Sequence, residues 1–131
     1  MTGNDVVNIL IPQLLSMGFT VHRYNAKSTS SIYLKLDYGV ACGIRIADHP
    51  GREKYHYRFN VLKDYEGDRA ILRDSLISYF FNYNELDKLL EAVKQERHEK
   101  ICNYGIDNYK KYMDKSSKDR LYGRFEKVGG E

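Results

Sequence analysis

Between Ser31 and His49 the chain alternates between apolar and polar side chains, interrupted once by a turn. Ile32, Leu34 and Leu36 fall on one side of the first run, with Ser31, Tyr33 and Lys35 on the other. Val40, Cys42, Ile44 and Ile46 fall on one side of the second run, with Ala41, Gly43, Arg45, Ala47 and His49 on the other. A period of two is the period of a strand, so the spacing predicts a β-hairpin with one apolar and one polar face. Asp37-Tyr38-Gly39 has the residue types of a turn and closes it.

The rest of the chain reads outward from this hairpin. Upstream, Val6, Ile9, Leu10, Leu14 and Met17 recur at helical spacing behind a cap at Asn4 or Asp5. Pro12 predicts a kink or break in that helix, and Gly18 its end. Phe19 to Tyr24 alternates as a first strand. Downstream, Tyr55, Tyr57, Phe59 and Val61 face one way and His56, Arg58, Asn60 and Leu62 the other. Four strands joined by short loops make an antiparallel meander. Asp68 is placed to cap a helix through Ala70, Ile71, Leu72, Leu76, Ile77 and Phe80, broken at Asn82-Tyr83-Asn84. Asn84 then caps a second helix with the stripe Leu86, Leu89, Leu90 and Val93. Lys88, Glu91, Lys94, Gln95 and Glu96 form its solvated face, and Gly105 its stop. Residues 107–114 suit one more helix, and the composition after Ser116-Ser117 is that of a loosely ordered tail. The expected fold class is α+β: an N-terminal helix, a four-stranded antiparallel sheet, then two C-terminal helices and a basic tail. The expected division is residues 1–104 as an α+β domain and 105–131 as a basic, Tyr-rich extension.

Composition changes this picture little. The chain has 131 residues and a net charge of +3, enough for one domain with its own core. Residues 1–60 carry seven basic and four acidic side chains, 61–103 seven and nine, and 104–131 seven and five. The positive excess therefore belongs to the sheet and the tail. Twelve tyrosines and no tryptophan favour a contact surface, although half-burial on a small sheet accounts for any single Tyr. Cys42 and Cys102 make neither a metal motif nor a disulfide framework, and Cys42 is expected to pack as a small hydrophobe. The N-terminal apolar run lacks a basic start and carries Asp5, so it is not read as a signal peptide, and the chain is expected to be cytoplasmic with reduced thiols.

Few residues point to chemistry. Ser31, Tyr33, Arg45, Asp48 and His49 gather on the polar side of the hairpin, and Arg45 offers a bidentate fork to a carboxylate or phosphate. Asp48 and His49 fit turn-closing hydrogen bonds better than catalysis, because no nucleophile elbow or oxyanion loop accompanies them. The histidines have no ligand spacing, and His98 to Cys102 lacks the second His of a zincin helix, so no metal or other cofactor is expected. No phosphate-binding glycine loop is present. In the tail, Lys110, Lys111, Lys115, Lys118, Arg120, Arg124 and Lys127 alternate with Tyr, a footprint for phosphates or an acidic protein groove that Asp107, Asp114, Asp119 and Glu126 dilute. The helix–sheet–helix order resembles the double-stranded RNA-binding fold in outline, without its basic helix start or its glycine loop.

The hairpin also carries a block of its own. Ser30-Ser31-Ile32-Tyr33, followed by Ile44-Arg45-Ile46-Ala47-Asp48-His49 and then Lys54-Tyr55-His56, resembles small phage and mobile-element proteins that include broad-spectrum inhibitors of type II CRISPR nucleases. The resemblance covers about residues 28–100. It departs at Ala47, where Ser is usual, and at the start, where the inhibitors carry a basic arm and this chain an apolar helix. It implies a non-enzymatic anti-defence protein of the host bacterial cytoplasm. Such a protein would bind a CRISPR nuclease–guide RNA complex and block target DNA binding or cleavage. Tyr33, Arg45, His49, Arg58, Lys110, Lys111, Arg120 and Arg124 are the expected contact residues. The alternative is a nucleic-acid-binding accessory protein that grips phosphates with the sheet face and basic tail. A third reading is a small hydrolase using Asp48 and His49.

Overall fold

The apolar positions of the hairpin all fall on one side of a sheet. A computed structural model describes residues 3–27, 31–47, 57–62, 76–81, 83–118 and 125–130. In it the two alternating runs are β2 (Ile32–Leu36) and β3 (Cys42–Ile46), antiparallel with Tyr33 opposite Arg45 and Leu34 opposite Ile44. β1 (Val21–Asn25) and β4 (Tyr57–Leu62) flank them. With α1 (Gly3–Ser16), α2 (Leu86–Tyr104) and α3 (Ile106–Ser117), the fold is α+β: an N-terminal helix, the four-stranded antiparallel meander and two C-terminal helices.

Two further strands widen the meander. β5 (Leu76–Phe81) adds beside β4 and β6 (Glu126–Gly129) beside β1, in the order β5-β4-β3-β2-β1-β6. Leu76, Ile77 and Phe80 were expected at the end of a helix; instead Leu76 lies opposite Leu62 and Phe81 opposite Tyr57. A short apolar run has no period that separates a buried strand from a helix, and the aromatic and β-branched residues here suit the strand. The expected start of that helix, residues 68–75, lies outside the described residues. β6 replaces part of the expected loose tail, and Gly130 just beyond it lies against the chain at Phe19-Thr20. A Cβ there, at φ +97°, would stand 2.6 Å from Thr20 Cα and 2.8 Å from the Phe19 carbonyl oxygen.

α1 runs unbroken through Pro12. Pro12 and Asn8 are both exposed, so the Asn8 carbonyl that proline cannot serve is on the solvent side of the helix. Asn4 lies inside the first turn rather than at the cap, and its Oδ1 accepts from Arg23 Nη2 at 3.2 Å, tying the helix to β1. Val6, Val7, Leu10 and Leu14 of α1, Leu89 and Val93 of α2, and Tyr109 of α3 share one core with Val21, Leu34, Leu36, Ile44 and Ile46. The helices thus cover one face of the sheet.

At the edge of that core lies a polar node. Asp37, Tyr38 and Gly39 take φ values of 53°, 58° and 84°, a left-handed run that side chains disfavour. Asp37 is held there although it is fully buried. Its N–H donates to the Thr20 carbonyl (2.8 Å), and its Oδ1 accepts from Thr20 N–H (3.0 Å). Its Oδ2 accepts from the Tyr109 hydroxyl at 2.5 Å and lies 3.1 Å from Arg97 Nε. Burial, with the Asp37 charge next, pushes the Tyr109 phenol far above its ordinary range, so it remains a donor. One turn along α2, Lys100 is buried and donates from Nζ to the carbonyls of Val40 (2.7 Å) and Ala41 (2.8 Å), 3.8 Å from Glu96. Glu96 is 6% exposed, which corrects its assignment to the solvated face. The buried stripe of α2 continues from Leu89 and Val93 through Glu96 and Lys100, because the apolar spacing carries on with charged residues that find partners.

Tyr109→Phe leaves the buried carboxylate one donor short and should cost about 1–3 kcal/mol, read as a lowered urea midpoint at unchanged slope. Lys100→Met strands Glu96 and two carbonyls and should cost roughly 3 kcal/mol or more, while Lys94→Met on the exposed side stays within about 0.5 kcal/mol. Equal losses from the two lysine variants would contradict the node.

Candidate binding face of the sheet

The strand register sorts the polar residues onto the face opposite the helices. Tyr24, Tyr33, Arg45, Arg58 and Phe80 form one cross-strand row. His22, Lys35, Gly43, Asn60 and Ser78 form the next, with Lys127 of β6 opposite His22. No acidic residue stands in either row. The chain mixes its charges along the sequence, but the pleat separates them in space.

Side chains on this face touch in a chain. Arg45 donates from Nε and Nη2 to Ser31 Oγ (3.3 and 3.2 Å), and its guanidinium carbon lies 5.8 Å from the centre of the Tyr33 ring. Tyr33 neighbours Tyr24 (6.2 Å between centroids), and Tyr24 neighbours Phe125 (5.5 Å). Lys35 Nζ stands 5.0 Å from the Phe125 centroid. Three aromatic rings in sequence, with a cation at either end, provide stacking area and charge without any catalytic pairing. His22 lies in the second row, buried beside the Tyr38 ring at 4.8 Å. Burial, then Lys127 and Lys35, hold its imidazole below the ordinary value.

The expected contact residues do not form one group. Tyr33 and Arg45 are together on the open face, and Arg58 occupies the register position opposite Arg45. Lys110 and Lys111 are exposed on α3, whose neighbouring Tyr109 belongs to the core under the helices. His49, Arg120 and Arg124, and Asp48 with the turn after it, lie outside the described residues. Sequence reasoning passed over His22, Tyr24, Lys35 and Phe125 as contact residues, and counted Lys127 only among the tail cations, not on the sheet face. Strand parity marks the first three, since each shares its face with Tyr33 or Arg45. Lys127 and Phe125 arrive only through the pairing of β6 with β1, for which the sequence carries no signal.

Cys42 is buried, and that burial pushes its thiol far up, so it packs as the expected small hydrophobe. Among the described residues no three His, Cys, Asp or Glu side chains gather as a metal site, and no helix is long and apolar enough to cross a membrane. No protein-family model, no curated protein and no solved structure matches the chain.

A His held below its unfolded value near 6.5 contributes stability that is complete above that pH and is lost as pH falls through the lower folded value. Below about pH 6.5, His22→Gln should therefore show a flatter dependence of stability on pH than the parent in urea melts. Parallel curves would mean that His22 titrates alike in the folded and unfolded chain.

Proposed function

We propose that the protein is a non-catalytic nucleic-acid-binding module that takes a single strand across the open face of its sheet. The observation that carries this reading is the run Arg45–Tyr33–Tyr24–Phe125–Lys35, three rings bracketed by two cations. Bases stack on aromatic rings whatever their sequence, and each such contact is worth about 1–3 kcal/mol. Arg45, Lys35 and Lys127 meet the phosphates between them, with Arg58 in the same row as Arg45. The lack of acidic residues in both rows removes the repulsion that the mixed overall charge would otherwise bring.

A second reading has its own support. Ser31 and Tyr33, from the first half of the block that resembles phage inhibitors of type II CRISPR nucleases, contact Arg45 from the second half on this same face. In that reading the protein acts in the bacterial cytoplasm, and its sheet occupies a nucleic-acid-binding surface of the nuclease–guide RNA complex. A protein partner would use the same rings and guanidinium as anchors.

One pair of assays separates the readings. Fluorescence anisotropy on short single-stranded DNA and RNA should show binding that weakens steeply with salt. Arg45→Glu and Tyr33→Ala should each weaken it by about tenfold or more, and Arg45→Ala should lower the salt slope by about one. The double variant Lys110→Glu/Lys111→Glu should leave binding nearly intact. Loss in that variant alone would move the interface to α3. Cleavage by guide-loaded type II nucleases runs alongside: inhibition without affinity for bare strands favours the second reading and removes the first. Absence of both activities removes both.

A further inference from the structure

A second surface lies on the helical side, and its chemistry is the reverse of the sheet face. A cavity of about 580 Å³ opens between the N-terminal two-thirds of α2 and the segment that leaves α1. Among the described residues, its apolar lining is Met17, Phe19 and Leu90. Around it stand Asp87 and Glu91 toward the start of α2, and Lys94 and Arg97 further along. Glu91 and Lys94 are one turn apart, yet neither is ion-paired with the other. Asp87, Glu91 and Lys94 have no polar partner among the described residues. Arg97 Nε is ion-paired with Asp37 at 3.1 Å, its Nη1 donates to the Met17 carbonyl at 3.3 Å, and its guanidinium lies 4.7 Å from the Phe19 centroid. Nη2 is left without a partner among the described residues. The cavity therefore presents an apolar floor with two uncommitted acids at one end and, at the other, the uncommitted Lys94 beside an Arg97 already ion-paired to Asp37.

That arrangement selects a ligand class. The volume is within the range of small-ligand sites, roughly 300–1,000 Å³. A polyanion fits poorly, because Asp87 and Glu91 repel its length. A single anionic head with an apolar body and a cationic far end fits throughout. Ten residues of α2 separate Asp87 from Arg97, a rise of about 15 Å, and about four extended residues cover that span. We propose that this cavity binds a short apolar peptide segment with free termini, its carboxylate at Lys94 and Arg97 and its ammonium at Asp87 and Glu91. The Arg97 fork is already oriented by Asp37 and Phe19, so its ordering cost is met before the ligand arrives. Met17 supplies an adaptable wall, which suits a class of sequences rather than one. The site is independent of the sheet face, and failure of either leaves the other standing.

The test uses the full chain, labelled with nitrogen-15, titrated with the peptide Lys-Leu-Phe-Leu. Saturable shifts are expected at the amides of residues 17–19 and 87–97, with the sheet strands unmoved. The C-terminal amide of the same peptide should bind about tenfold more weakly, the effect of losing one charge-assisted hydrogen bond. Lys94→Glu is exposed and leaves the Asp37 node intact. It should weaken the free acid similarly while the amide loses less, the coupling expected of two groups in contact. A flat titration to about 5 mM overturns the site. Equal affinity of acid and amide, or shifts confined to the sheet, overturns the assigned orientation and with it the proposal.

Discussion

The carboxylate of Asp37 is the point on which the two halves of the chain depend. It joins the end of β2 to Thr20 ahead of β1, and to Arg97 and Tyr109 from the two C-terminal helices. The hydroxyl that completes it comes from 72 residues further along. A buried charge is tolerated only when its oxygens are occupied, and here each oxygen has at least one partner. The same partners hold three successive residues in the left-handed region, where the chain would not remain unaided. Lys100 extends the node by serving two carbonyls just past the turn, where the backbone has left the ladder.

This arrangement decides what the outside of the protein offers. The node and the apolar core draw all three helices to one side of the sheet, so the other side keeps the polar half of β1, β2 and β3. Because the register is fixed, residues distant in sequence line up there as rows, and both rows are free of acids. The acidic residues of α2 stay on the helical side, where Asp87 and Glu91 border the cavity beside Met17 and Phe19. One nearly neutral chain thus has a basic, aromatic face and a separate apolar groove of mixed charge. The first is electrostatically favourable to a polyanion, and the second is not, because Asp87 and Glu91 border it.

Arg97 connects these levels. Its Nε pairs with the buried Asp37, its guanidinium lies over the Phe19 ring, and the residue also lines the groove. A guanidinium divides its donors in this way because they are fixed in one plane. A lysine there could serve the carboxylate or the groove but could not hold both directions.

The sequence by itself determined whatever follows from local period. The hairpin, β1, β4, the first helix and the stripe of α2 were legible because burial on one side imposes a repeat of two or of 3.6. Strand parity likewise placed Tyr33 and Arg45 together on the polar side. Tertiary structure decided everything that depends on a distant partner. LISYFF has no period of its own and became β5 because β4 offered an edge. The glycines near the end of the chain became part of β6 and its docking because β1 and Thr20 come close. Glu96 and Lys100 look like the solvated charges beside them, and only the carbonyls of Val40 and Ala41 made burial affordable. Asp37 looks like a turn residue, and Tyr109 like one more Tyr in a basic tail. Their contact spans most of the chain, and no local pattern encodes an interaction whose energy comes from two groups desolvated together.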